Sequence, residues 1–406
     1  MRTRSDLVVT ALILACVALL LASPPASASG IGVTTNSVEH SFAQHVTFTL
    51  GANSDAQIAR VYLFFRATSD EETEKKMLAP EAPAREISIK YTHDVRRYPL
   101  PPFAEIIFWW QIEDEAGNQR KTPTKTFTYT DNRFRWEQLS APGITIHWIE
   151  GQGNPAFAQT ALDIAQASVK DIRAELRAPT PDPLDIFIYD SEPNLQAAMV
   201  LTGRDWVGGQ ARPELGAVAV AVPPEQGYSS RMKRYLPHEI THLMVYELVA
   251  PESYRNIPDW LNEGLATVNE QLPTPEYTLT LEEARDRGQL LSLEELCVPF
   301  SPDPRTAILS YAQSASVVTF IRKRYGAEGI RKLLSAYADG ASCTSGVEEA
   351  LGISFKRLES NWRISVEPEA GWRAVVDQIG VWVGLWLLSM LVAVPMIGGL
   401  RRSPEE

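Results

Sequence analysis

The chain has 406 residues, of which 45% are hydrophobic and 22% charged. That is enough apolar material for a real core and a length that suits two folded domains with targeting segments. The net charge is −12, with no basic stripe or base-stacking aromatic motif, which excludes nucleic acid as a partner class.

In chain order, residues 1–28 read as a signal peptide. Arg2 and Arg4 precede an apolar run from Leu7 to Leu21, then Pro24-Pro25 and Ala26-Ser27-Ala28, with cleavage expected after Ala28. Residues 29–132 read as a β-sandwich. Strand-like runs occur at Val46–Leu50, Ile58–Phe65, Ile87–Tyr91, Ile106–Ile112 and Thr126–Thr130, separated by turn residues. Asp114-Glu115-Ala116-Gly117-Asn118 followed by threonine-rich β sequence resembles bacterial immunoglobulin-like modules, which implies a spacer or a binding surface.

Residues 133–142 read as a linker, and residues 143–366 as a second domain. Ile144–Ile149, Leu184–Tyr189 and Gly216–Val222 are expected strands, and Ala156–Leu176 has helical periodicity. From Met232 onward the pattern is almost wholly helical. Cys297 and Cys343, the pair left after signal removal, suggest one disulfide in an oxidising compartment. Residues 379–400 contain no charge and would span about 33 Å as a helix, enough for a bilayer core. Arg401-Arg402 follow, so residues 401–406 are expected as a cytoplasmic tail, with the bulk of the chain outside the cell membrane on a single span.

The chemistry centres on His238-Glu239-Ile240-Thr241-His242, within an expected helix that contains Pro237. Positions i and i+4 share a helix face, so both imidazoles can aim at one ion, and two neutral histidines suit Zn²⁺. Glu239 is then placed to take a proton from an attacking water. No histidine follows His242, so a third ligand must be a carboxylate or an upstream histidine. The segment Pro258–Ala266 offers Asp259 and Glu263 on one face.

Trp260-Leu261-Asn262-Glu263-Gly264-Leu265-Ala266, with twenty residues between His242 and Glu263, resembles the second half of a gluzincin site, as in thermolysin-like and peptidase MA-like proteins. The resemblance implies Glu263 as third ligand, one zinc per chain with a fourth position open to water, and a peptide or protein substrate. Asp259 is then a helix-dipole partner or an acceptor for a ligand histidine. Gly264 would let its helix approach the motif helix closely. The resemblance also implies that Gly216–Val222 is an edge strand that pairs with substrate. Tyr311, at the start of an expected helix to about Tyr325, would stabilise an oxyanion. The Gly-x-Met-Glu-Asn signature of gluzincin aminopeptidases is absent, which favours endopeptidase action.

The expected fold is therefore α+β: an immunoglobulin-like β-sandwich, a mainly helical gluzincin-like domain with a small sheet, and one C-terminal transmembrane helix. The expected function is a membrane-anchored extracytoplasmic zinc metallopeptidase. The alternative is a surface binding or scaffold protein with a silent peptidase-like domain.

Overall fold

The structure, a computed structural model, describes residues 30–199, 209–272 and 274–367. The expected signal segment 1–28, membrane segment 379–400 and tail 401–406 lie outside the described residues. Among the described residues, no helix is long and apolar enough to cross a membrane. The chain divides into two compact units. The first holds described residues 30–138, 147–153 and 188–199, and the second holds the rest. The architecture is α+β, sheet-rich toward the N-terminus and helical toward the C-terminus.

In the first unit the strands are β1 (Gly32–Ser41), β2 (His45–Ala67), β3 (Glu74–Leu78), β4 (Ala84–Asp94), β5 (Glu105–Asp114), β6 (Gln119–Lys121) and β7 (Lys125–Thr128). The two sequence runs 46–50 and 58–65 are one strand of 23 residues. The first half of β2 pairs with β1 and β4, and its second half with β3 and β5. Register shifts between Asn53 and Ile58, where an irregularity bends the strand. Alternate residues Val46, Phe48 and Leu50 in one half and Val61, Leu63 and Phe65 in the other are buried. The Phe48 ring lies 5.1 Å from that of Phe65 and 5.2 Å from that of Phe108, so the two halves share one core. At the 114–118 turn, the Asp114 carboxylate accepts from the Ser54 hydroxyl at 2.7 Å and from the Asn118 backbone N–H at 2.9 Å. Gly117 supplies the left-handed residue there, with φ 85°.

The second sheet has five strands: β8 (Trp136–Ala141), β9 (Ile144–Ile149), β10 (Leu184–Tyr189), β11 (Gly209–Arg212) and β12 (Ala217–Ala221), in the order β11-β12-β10-β9-β8. β8 occupies most of the stretch expected as linker 133–142. The polar and exposed positions of that stretch alternate with half-buried ones, which is how a sheet edge reads. β12 is buried at every position and flanked on both sides, so the expected edge strand 216–222 is interior. Among the described residues the edge on that side is β11, which the sequence does not mark because it is four residues long and half polar.

The helices are α1 (Pro155–Leu176), α2 (Glu192–Ala198), α3 (Tyr228–Val249), α4 (Pro251–Tyr254), α5 (Asp259–Asn269), α6 (Pro275–Asp286), α7 (Pro304–Ala338), α8 (Ser345–Leu351) and α9 (Phe355–Val366). The Asn154 side chain caps α1 by accepting from the Phe157 backbone N–H at 3.0 Å. Asp303 caps α7 through the Thr306 N–H at 2.9 Å, so that helix starts seven residues before Tyr311. It breaks at Gly326, whose φ is 67°. Cys297, before α7, is bridged to Cys343, after it, with Cα atoms 6.0 Å apart. The bridge closes the long excursion of α7 and its entry loop, restricting the unfolded chain.

Candidate metal centre

The motif lies in the middle of α3, and the packing around it begins with a missing hydrogen bond. Pro237 sits inside α3 and has no N–H, so the Lys233 carbonyl four residues earlier has no helical donor. The Gln271 backbone N–H takes its place, donating to Lys233 O at 2.9 Å. Two residues before Gln271, the Asn269 amide donates to Thr241 Oγ1 at 3.1 Å. The C-terminal end of α5 is thus fastened to α3 on both sides of Glu270.

α5 also lies close to α7. A Cβ at Gly264 would meet the Ser314 carbonyl oxygen of α7 at 2.7 Å. The close approach that this glycine permits is therefore to α7, not to the motif helix as the sequence suggests. With α5 held between α3 and α7, Glu263 faces the two histidines. Its Oε2 is 3.4 Å from His238 Nε2 and 3.6 Å from His242 Nε2. The three donor atoms lie within 4.8 Å of one another. Ligands at about 2.0–2.1 Å from a tetrahedral zinc are about 3.3–3.4 Å apart, so the two measured edges suit one ion. Glu263 Oε2 is buried and accepts no hydrogen bond, and a cation at the centre would satisfy it.

The outer nitrogens of both rings are occupied. His238 Nδ1 lies 3.2 Å from Glu270 Oε1, and His242 Nδ1 lies 3.2 Å from Asn262 Oδ1. Acceptors there fix the Nδ1–H tautomer and aim Nε2 inward. Asn262 is fixed in turn, its amide donating to the Tyr254 hydroxyl at 3.0 Å. Sequence reasoning missed Glu270 and Asn262 and offered Asp259 as a helix-dipole partner or as an acceptor for a ligand histidine. Asp259 stands in the first turn of α5, which is the first of those places, where a carboxylate complements the helix dipole.

Electrostatics follow from burial against charge. Burial opposes protonation of His238, but the carboxylates of Glu263 and Glu270 and the charge of Glu239 outweigh it, raising its pKa to about 10. His242 is raised in the same contest, chiefly by Glu263. Burial alone would raise Glu263, yet the two imidazoles hold it well below the usual carboxylate range. Glu239 goes the other way: its burial raises its pKa and the histidines only partly counter it. A proton among three donors is what a dication at the same point would replace.

Tyr311 is buried in α7, with its ring centroid 6.1 Å from that of His238. Phe300 packs edge-on to it at 5.2 Å and Tyr277 stacks at 6.4 Å. The structure therefore brings His238, Glu239, His242, Glu263 and the Tyr311 ring into one region of the second unit.

Residues 164–368 match the Peptidase MA superfamily, and the chain belongs to that superfamily. The second unit is thus a peptidase-like domain. No curated protein matches the chain. Among solved structures, Legionella pneumophila aminopeptidase A in complex with aspartic acid is similar at 10% identity, over 83% of this chain and 50% of that one, with a TM-score of 0.40. Wild-type OgpA from Akkermansia muciniphila is similar at 8% identity, over 24% of this chain and 28% of that one, with a TM-score of 0.21. The sensor domain of the anti-sigma factor RsgI4 from Pseudobacteroides cellulosolvens is similar at 14% identity, over 26% of this chain and 98% of that one, with a TM-score of 0.20.

Proposed function

We propose that the chain is a zinc metallopeptidase of the gluzincin type, in which His238, His242 and Glu263 hold one zinc ion and Glu239 is the general base. One observation carries this reading: two imidazole Nε2 atoms and a buried, unpartnered carboxylate oxygen converge at zinc-ligand spacing. Zinc bound there would polarise the scissile carbonyl and acidify water. Glu239 takes the proton of the attacking water and passes it to the leaving amine. Glu270 and Asn262 hold the outer Nδ1 atoms of the two rings and so keep both Nε2 atoms aimed inward. Tyr311 is proposed as the donor to the oxyanion, with its ring on the His238 side.

The proposed substrate is a peptide or protein laid along β11, the outer strand among the described residues, and cut internally. The first unit is proposed as an immunoglobulin-like spacer. The segments at 1–28 and 379–402 support a chain held by one span with its bulk outside the cell membrane.

The purified chain, loaded with zinc and given an unbiased peptide mixture, should cut internal bonds. Chelator should stop the cleavage and added zinc should restore it. A fully zinc-loaded chain that cuts nothing would leave the scaffold reading in its place.

A further inference from the structure

Among the described residues β11 is the outer strand beside the proposed base, and two of its residues act on that base. A Cβ at Gly209 would lie 2.8 Å from Glu239 Oε1 and 3.0 Å from its Cγ. Non-bonded carbon contacts rest at about 3.5–4.0 Å, so the carboxylate would have to move by roughly 0.5 Å or more. The Gly209 backbone is not in the left-handed region, so the strand's own geometry does not call for glycine. Space for Glu239 does. Two residues on, the Ala211 backbone N–H donates to the same carboxylate. Gly209 and Ala211 stand opposite Val220 and Val218 of β12 in the ladder. Being two apart, they turn their backbone groups to the same side of the strand, the side on which the Ala211 N–H meets Glu239.

We propose that Gly209 is a positioning residue: the bare backbone at 209 and the Ala211 N–H together form a seat that fixes the Glu239 carboxylate. The proposal rests on the reading of Glu239 as the base. The strand that would carry the substrate backbone thereby also sets the base against it. A side chain at 209 moves the carboxylate away from the Ala211 N–H without touching a metal ligand. A displacement of this size matters, because misplacement by about 1 Å can cost about 10²-fold in rate.

The test compares zinc-loaded wild type with Gly209→Ala by crystallography and kinetics. The carboxylate should shift by about 0.5 Å or more and lose the Ala211 N–H. The kcat should fall about 10- to 100-fold, with KM and zinc content unchanged. The added methyl would also lie 3.1 Å from Val220 Cγ1, so crowding inside the strand pair is the rival cause. Adding Val220→Ala relieves only that crowding and should restore nothing. An unmoved carboxylate in the Gly209→Ala crystal, or rescue by Val220→Ala, would each overturn the proposal. If the zinc-loaded wild type cuts nothing, the functional reading fails, and the crystal comparison alone decides the seat.

Discussion

The Lys233 carbonyl accepts from the Gln271 backbone N–H at 2.9 Å, across the gap that Pro237 leaves in α3. The proline thus opens a docking point for the end of α5. Pro237→Ala returns an N–H that competes for the same carbonyl. The helix should become more regular and unfolding stability should hold or rise. Zinc affinity should nevertheless fall about tenfold, because Glu270 loses its anchor beside His238. Metal titration by competition with a chromophoric chelator reads this directly. Unchanged affinity would mean that Asn269 and Thr241 hold the segment alone.

Glu270 closes α5 and puts its carboxylate 3.2 Å from His238 Nδ1. Glu270→Ala should weaken zinc binding about 10- to 100-fold while the chain stays folded. Glu270→Gln keeps an oxygen acceptor and should lose less. Equal losses in the two variants would point to packing rather than to the hydrogen bond.

Glu239→Gln should leave zinc bound and lower kcat at least ~10²-fold, since the amide keeps the shape but cannot take the proton. The paired readouts are zinc content and turnover on the same preparation. Retained turnover in the zinc-loaded variant would falsify the base assignment.

Tyr311→Phe separates two roles for a ring that Phe300 and Tyr277 also pack against. An oxyanion donor acts only as charge develops, so its loss should lower kcat by up to ~10²-fold with KM little changed. A packing tyrosine would keep full turnover and lose at most about 1 kcal/mol of stability.

The clustering of His238, His242 and Glu263 was legible in the sequence because helix geometry is local. His238 and His242 need only one helix to share a face, and the Glu263 segment carries its own motif. What the sequence hid is tertiary. Glu270 lies seven residues beyond Glu263 and reaches His238 only because Gln271 docks on Lys233. Pro237 was the visible trace of that docking, yet a proline says which bond is missing and not what replaces it. Gly264 was readable as a contact point, but its partner, α7, depends on the packing of three helices. The edge reading of β12 comes from the gluzincin resemblance, whereas its wholly apolar run is that of an interior strand. The half-polar four-residue strand outside it has no periodicity to announce it. In the first unit, alternation located the strands but could not tell that two runs were one bent strand, since the bulge residues 54–57 read as a turn.

The most direct test of the account is anomalous diffraction at the zinc absorption edge, from crystals of the chain grown with equimolar zinc. The account predicts one strong peak within about 2.0–2.3 Å of His238 Nε2, His242 Nε2 and Glu263 Oε2. No peak at that point, or a peak bound by Asp259 while Glu263 points away, would contradict it.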